Sequence, residues 1–352
     1  MDIMNLLKEK KPLIDREMEK VLPRKASKEW LAGALGKTGY AYGEKTVSRE
    51  FNEPVWEFLD RGGKRWRPAL LLSSCKAVGG SEKEALPFSP LPELIHNGTI
   101  IVDDVEDGAE MRRGKKTMHL LHGVDTAVNN GNALYFAPLL LLYRNPENLE
   151  AEKRIKVYDL YAEEMLRVSI GQAMDIHWHK GKSSVNEKAY LQMCVYKTGV
   201  LARFSAKLGG ILGNGKKREI NALGKFGESL GIGFQIQDDI LNIAPASEEW
   251  GKEIGEDIRE GKRTLLVLRA LEELELQHSK ELLRILDSHT KKRSEIEKAV
   301  ELIKGTDAIE YARQKSSGIV KKSWKELEKV LRDNEGKREL KAFAEFAVNR
   351  EI

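Results

Sequence analysis

The stretch ELIHNGTIIVDDVEDGAEMRRGKKTMH, Glu93 to His119, decides how the chain is read. An apolar run (Leu94, Ile95, Ile100, Ile101, Val102) leads into Asp103, Asp104, Glu106 and Asp107, with Arg112 and Arg113 just beyond. In a helix, Asp103 and Asp107 form an i,i+4 pair and point the same way. Two carboxylates stacked on one face repel each other unless a cation lies between them. Hard oxygen ligands left partly open suit Mg²⁺, which takes one or two carboxylates together with substrate phosphates. The tandem arginines add the fork geometry that phosphate oxygens match. Acid-and-base clusters at helix ends are usually solvated surface, but here an apolar helix delivers the acids where a solvated face would be polar. A diphosphate is the simplest ligand that needs both.

A second cluster has the same design. GFQIQDDILN, Gly233 to Asn242, places Asp238, Asp239 and Asn242 at the end of another apolar helix. GKEIGEDIREGKRT follows, carrying Lys252 and Lys262. Two acidic clusters, each ending an apolar helix and each trailed by bases, form a specific constellation.

Composition narrows the remaining possibilities. A chain of 352 residues can bury a large core, and 32% charged residues with only 10 prolines favour long helices over a β-sandwich. A net charge of +4 gives no indication of nucleic-acid binding. Cys75 and Cys194, both in apolar-rich segments, read as buried free thiols in a reducing compartment. Residues 1–20 are too charged for a signal peptide, and the run Ala133–Tyr143 is too short to cross a bilayer. The expectation is a cytoplasmic protein with no transmembrane segment.

Taken in order, residues 1–60 read as charged amphipathic helices broken near Gly36–Gly43. Gly62-Gly63 end the helix before them, and Pro68 suits the first turn of the next. Lys64, Arg65 and Arg67 then lie near a helix N-terminus, where they and the backbone N–H groups favour an anion. Prolines 87, 90 and 92 are expected to break the chain before the first acidic helix. Asp125–Tyr143 reads as a helix buried on most sides, Glu147–His179 as one long helix with the 3.6 period, and Tyr190–Leu212 as another. His177 and His179 lack metal-ligand spacing and are expected at the surface. The polar, glycine-containing loop Ala244–Arg263 has the composition of a flap. Further amphipathic helices run from Thr264 onward. No period-2 strand pattern, repeat or linker occurs. The predicted fold is all-α, a single domain over residues 1–352 in which two acidic helices face each other across the cavity of a helical bundle.

The motifs GGKRWRP (Gly62–Pro68), DDVED…MRRG, GQAMD (Gly171–Asp175), YKTG (Tyr196–Gly199), FQIQDD and GKEIGEDIREGK, in this order, resemble the short-chain trans-isoprenyl diphosphate synthases of the polyprenyl synthetase family. The resemblance is nearest to the geranylgeranyl diphosphate synthases and implies the isoprenoid synthase fold. It also implies Mg²⁺-dependent, head-to-tail condensation of isopentenyl diphosphate with allylic diphosphates, using two or three ions. Metal ligands would be Asp103, Asp107, Asp238 and Asp239, with Asp104, Asp175 and Asn242 as secondary candidates. Isopentenyl diphosphate would lie on Lys64, Arg67, His96 and Arg113. Arg112, Lys197, Thr198, Gln235, Lys252 and Lys262 would hold and activate the allylic diphosphate. Relatives are commonly homodimers, and the same is expected here.

Asn242 departs from the third Asp of many relatives. A neutral oxygen remains a possible ligand, and some geranylgeranyl diphosphate synthases share it. Product length is expected to depend on the helix turns below Asp103. Farnesyl-producing relatives carry bulky aromatics at one or both of the positions four and five before the first Asp, here Thr99 and Gly98, with Ile95 a turn further down. Small residues there imply a product longer than C15, with C20 geranylgeranyl diphosphate favoured over C15 or C25. A class I terpene cyclase would carry an Asn/Ser/Glu second motif and no isopentenyl site. A non-catalytic subunit would have lost the first acidic cluster or the RRG. GGKRWRP and the intact motifs argue against both.

Overall fold

The fold follows from one apolar helix near the middle of the chain and the elements it gathers. In a computed structural model of the protein, residues 2–181, 185–245 and 254–349 are described. Fifteen of the described helices set the architecture. They are α1 (Ile3–Val21), α2 (Lys28–Leu35), α3 (Glu53–Leu59), α4 (Trp66–Ala77) and α5 (Pro90–Glu106). Next come α6 (Val124–Phe136), α7 (Ala151–His179), α8 (Glu187–Cys194), α9 (Val200–Leu212) and α10 (Lys217–Ile243). The last are α11 (Leu265–Glu273), α12 (Leu276–Asp287), α13 (Arg293–Lys304), α14 (Ala308–Leu327) and α15 (Glu335–Asn349). Starts are capped as the sequence allows. The Ser27, Asn186 and Thr264 side chains accept the backbone N–H groups of Trp30, Ala189 and Val267.

Helix α9 is buried along nearly its whole length, from Val200 to Leu212. It packs on α4, α7 and α10. On one side of this centre α5 lies against α6; on the other, α10 lies against α14 and α15 against α4. The two acidic helices, α5 and α10, therefore stand on either side of a shared scaffold. An ion-pair cluster ties three of these helices together. Glu164 on α7, 1% exposed at its side chain, accepts from Arg203 on α9 at 2.6 to 3.1 Å, and Arg203 also pairs with Glu228 on α10.

The all-α reading holds, with one two-residue hairpin: Met111 and Arg112 pair with Lys116 and Lys115. Arg113 and Gly114 make its turn, both at positive φ (52° and 73°), the left-handed conformation that two-residue hairpin loops require. Other local expectations change. Pro90 and Pro92 lie inside the first turn of α5 rather than before it, because the first-turn N–H groups have no helical partner to lose. Tyr190–Leu212 is interrupted by a π-helical turn over Val195–Gly199. The segment expected as one buried helix over Asp125–Tyr143 is α6, a 3₁₀ turn (Ala137–Leu139) and a short helix (Leu140–Arg144). Only one of its faces is covered. Phe136 is 65% exposed and Tyr143 74%. Val124, Val128, Leu120 and Leu121 are also exposed.

Removing one member of the Glu164–Arg203–Glu228 cluster leaves a buried charge short of its partner, which costs about 3–5 kcal/mol. Arg203→Ala is expected to lower unfolding stability by that order in a denaturant titration. A loss within about 0.5 kcal/mol would mean that the cluster is a solvated ornament.

Candidate active site

Each acidic cluster is delivered by a helix whose other faces are packed, so its carboxylates enter the protein partly desolvated. Asp103 on α5 accepts from the Nζ of Lys197 at 3.0 Å and from Nε2 of Gln172 at 2.8 Å. Lys197 also donates to Asp175 at 2.6 Å, and Gln172 to Glu106 at 2.8 Å. Burial alone would raise the Asp103 carboxyl, but Lys197 and Lys262 pull it well below the usual carboxylate range. Burial would likewise lower Lys197, and Asp103 with Asp175 keeps it fully charged.

Asp107 is in a different state. Lys262 donates to its Oδ2 at 3.3 Å, while Oδ1 is buried with no hydrogen-bond partner. Burial, with the charge of Asp103, pushes its carboxyl up against the pull of Lys262. A cavity of about 350 Å³ borders it, lined among others by Glu106, Asp107, His179, Arg259 and Lys291. His179 is thus half-buried beside the site rather than at the surface; His177 is exposed.

Neighbouring acids on a helix point about 100° apart, and the structure separates their partners accordingly. Asp104 faces Arg112, which donates to Oδ1 at 2.6 and 2.8 Å; burial, against that pull, moves its carboxyl up to about 6. On α10, Asp238 is half-buried. Asp239 is buried and spent on protein partners: Oδ2 accepts from the Tyr190 hydroxyl at 2.5 Å and Oδ1 from Gln235 at 2.9 Å. Burial and the nearby Asp257 push it up to about 8. Gln235 in turn accepts from the Thr198 hydroxyl at 2.7 Å, so a hydrogen-bonded chain joins α8, the π turn and α10. The side-chain oxygen of Asn242 accepts the Asp257 N–H at 3.2 Å and its carbonyl the Gly255 N–H at 2.9 Å. Asn242 therefore anchors the returning loop. Lys252 lies outside the described residues.

The π turn explains how a lysine in an apolar helix reaches the acids. Its extra residue widens the turn, a distortion common at functional sites. The α7 backbone presses directly on it, since a Cβ at Gly171 would lie 2.4 Å from the Lys197 backbone nitrogen. Lys262 ties the first cluster to the returning loop, 3.3 Å from Asp107 and 3.8 Å from Asp257, and also pairs with Glu260.

Behind the first acidic helix is a basic region. Gly62 and Gly63 take positive φ (109° and 111°), and Arg65 follows at φ 51°. Arg65 turns inward to Asp15 (2.8 Å) and Glu93 (3.0 Å) and is structural. Arg67 stacks on Trp66 with 4.5 Å from Cζ to the ring centroid, and Lys64 lies 5.2 Å over Phe346. Arg113 donates to the Gly62 carbonyl (3.1 Å) and to Asn97 (3.2 Å). His96 is held neutral by burial and by Arg67 and Arg113. Sequence reasoning missed Gln172, although it lies in the GQAMD motif, and Tyr190 and Phe346, which no motif marks. Of the three chain-length positions, Ile95 is buried, Thr99 half-buried, and Gly98 packed against α6.

The residues fit a divalent cation. Asp103 and Asp107 stand one turn apart, and Oδ1 of Asp107 is buried with no hydrogen-bond partner. Among the described residues no three His, Cys, Asp or Glu groups converge. Mg²⁺ with substrate phosphates fits that donor set.

Negative and positive charge gathered at this depth in an all-helical scaffold suit a diphosphate held through a divalent cation. The chain belongs to the polyprenyl synthetase family, whose match covers residues 48–303, and it is a prenyltransferase. It is 34% identical over 293 residues to the short chain isoprenyl diphosphate synthase of Methanothermobacter thermautotrophicus, covering 83% of this chain and 88% of that one. It is 32% identical to the geranylgeranyl diphosphate synthase of Saccharolobus solfataricus, covering 87% and 92%. The crystal structure of geranylgeranyl pyrophosphate synthetase from Pyrococcus horikoshii superimposes with a TM-score of 0.86 at 31% identity, over 99% of this chain and 98% of that one. The reaction is head-to-tail condensation of isopentenyl diphosphate to a product longer than C15, and it depends on a divalent metal.

The two first-cluster acids should differ when replaced. Both Asp103→Ala and Asp107→Ala are expected to lower kcat by several orders of magnitude. In metal-free protein, thermal unfolding should show Asp103→Ala the less stable, because its carboxylate satisfies Lys197, and Asp107→Ala close to wild type. Equal destabilisation by the two would contradict the assignment of Lys197 to Asp103.

Proposed function

We propose that the protein is a Mg²⁺-dependent geranylgeranyl diphosphate synthase, a cytoplasmic single-domain enzyme acting as a homodimer on isopentenyl diphosphate and an allylic primer. The observation that carries the reading is the first carboxylate cluster, paired through Lys197 and Lys262 with acids of α7 and of the returning loop, beside a separate basic region. Asp103, Asp107 and Asp238 are the metal ligands of this reading, for two or three ions, and Asp175 and Asp239 set the positions of Lys197 and Gln235. When bound, Mg²⁺ supplies positive charge that draws electrons off the allylic diphosphate as its C–O bond breaks.

The chain's own residues do the rest. Lys197, Thr198, Lys262, Arg112 and, from the sequence, Lys252 orient the allylic diphosphate and take up its growing charge. Each unit charge at 4 Å contributes about 4 kcal/mol at an effective dielectric near 20, so a few together make diphosphate a competent leaving group. Lys64, Arg67, His96 and Arg113 hold isopentenyl diphosphate, whose double bond attacks the allylic carbocation. Neutral His96 donates a hydrogen bond without adding charge. The proton lost from the adduct passes to the departing diphosphate, so no protein base is needed.

The homodimer rests on an apolar face. Leu120, Leu121, Val124, Val128, Phe136 and Tyr143 continue the exposed side of α6, and Ile155, Leu166 and Ile170 project from α7. A surface this apolar on a charged chain suits a second copy of itself. Sedimentation should give twice the chain mass, and Leu166→Glu with Phe136→Glu should give the monomer. A monomeric wild-type protein would refute the assembly.

The catalytic reading is tested by incubation with labelled isopentenyl diphosphate and farnesyl diphosphate, followed by phosphatase and chain-length analysis. Geranylgeraniol as the main product is expected. Geranylfarnesol would move the product to C25, and a cyclic hydrocarbon or no elongation would overturn the reading. In the same assay Arg67→Ala should chiefly raise KM for isopentenyl diphosphate, and Lys197→Ala should impair use of the allylic substrate. Equal effects on both substrates would show the two basic sets to be one.

A further inference from the structure

Arg113 is repelled by both Arg65 and Arg112, and the three are not held alike. Arg65 is buried and ion-paired with Asp15 at 2.8 Å and Glu93 at 3.0 Å. Arg112 is paired with Asp104 at 2.6 Å. Arg113 has no carboxylate within ion-pair distance among the described residues. Its guanidinium donates instead to two neutral oxygens, the Gly62 carbonyl at 3.1 Å and Asn97 Oδ1 at 3.2 Å. It also lies over the Phe58 ring, 5.2 Å from Cζ to the centroid. A carboxylate partner would cancel the charge, whereas a neutral oxygen orients the guanidinium and leaves its charge for an anion.

An asparagine amide can face either way, and here the surroundings decide. Nδ2 of Asn97 donates to the Glu93 carbonyl at 2.8 Å and to Glu93 Oε1 at 3.0 Å. That Oε1 also accepts from Arg65, and a carboxylate paired with a guanidinium only accepts. The amide nitrogen must therefore face Glu93, which turns Oδ1 toward Arg113. Asn97 and Glu93 are 0% and 3% exposed, so bulk water does not compete for these bonds. Gly63, at φ 111°, leaves room for both guanidinium groups. A Cβ there would lie 3.1 Å from Nη1 of Arg65 and 3.6 Å from Nη2 of Arg113.

We infer that Asn97 is a positioning residue for the isopentenyl diphosphate site: oriented by the Arg65–Glu93 pair, its amide oxygen holds the Arg113 guanidinium in place and leaves that charge unspent. The inference rests on the reading above that Arg113 binds isopentenyl diphosphate. Helix α5 then serves both substrates. Asp103 and Asp107 act at its C-terminal end, and Asn97 acts about 9 Å back along its axis from Asp103. The buried Glu93, which reaches no substrate, sets the amide that sets the arginine.

The test measures initial rates of the full-length protein with Mg²⁺, farnesyl diphosphate and isopentenyl diphosphate, each substrate varied in turn. Wild type, Asn97→Ala, Arg113→Ala and the double variant form a cycle. Asn97→Ala should raise KM for isopentenyl diphosphate about tenfold, the order of one hydrogen bond to a charged group. KM for farnesyl diphosphate and kcat should stay within about twofold of wild type, as when ground-state binding of one substrate is lost. Because Asn97 acts through Arg113, the double variant should match Arg113→Ala alone. Asn97→Leu keeps the buried volume without the acceptor, and should reproduce Asn97→Ala if the alanine variant fails to fold. An unchanged KM for isopentenyl diphosphate in either variant, equal rises for the two substrates, or multiplying effects in the double variant overturn the inference. Loss of folding in both single variants also overturns it, since the amide would then serve the fold. No effect of Arg113→Ala on KM for isopentenyl diphosphate would instead overturn the assignment of Arg113 to that substrate.

Discussion

Lys197 and Lys262 lie between carboxylates that would otherwise repel one another, and the site depends on that arrangement. Lys197 joins Asp103 to Asp175, and Lys262 joins Asp107 to Asp257 and Glu260. Charges at this depth are tolerated only when paired. The lysines thus hold the acids in place and keep positive charge beside them. Asp107 is left unbalanced, its Oδ1 buried with no hydrogen-bond partner.

The scaffold is shaped to deliver those lysines. An α-helix running unbroken from Tyr190 to Leu212 would set Lys197 by the ordinary 3.6 period. The π turn resets that phase, and the contact of Gly171 with its backbone fixes it against α7. The same logic governs the hairpin turn at Arg113, where a non-glycine residue is kept at positive φ beside Asn97 and Gly62. Backbone strain is accepted at Arg113, while the π turn is held between the buried α9 and the α7 backbone at Gly171.

Most of the fold and the outline of the site were legible in the sequence, because apolar periodicity and acidic helix ends are local signals. What was not legible depends on the phase of one helix against another. Asp238 and Asp239 look equivalent in sequence, yet adjacent helical residues diverge by about 100°, and Asp239 turns to Tyr190 and Gln235. Asn242 reads as a weakened ligand but receives the backbone of the returning loop. The apolar run after Asp125 reads as core, and half of it is surface, because apolar content alone cannot separate a buried face from an uncovered one. Gly98 reads as room for a prenyl tail; its missing side chain instead lets α6 and Tyr135 come close.

On the proposed reading, Mg²⁺ is held jointly by the first-cluster carboxylates and the substrate diphosphate. Calorimetric titration of Mg²⁺ into the protein, with and without an unreactive thio-diphosphate analogue of the allylic substrate, measures this directly. Weak binding to the free protein and tight binding in the presence of the analogue is the result predicted, with the increment abolished in Asp107→Ala. Tight Mg²⁺ binding to the free protein, unchanged by the analogue, would contradict it.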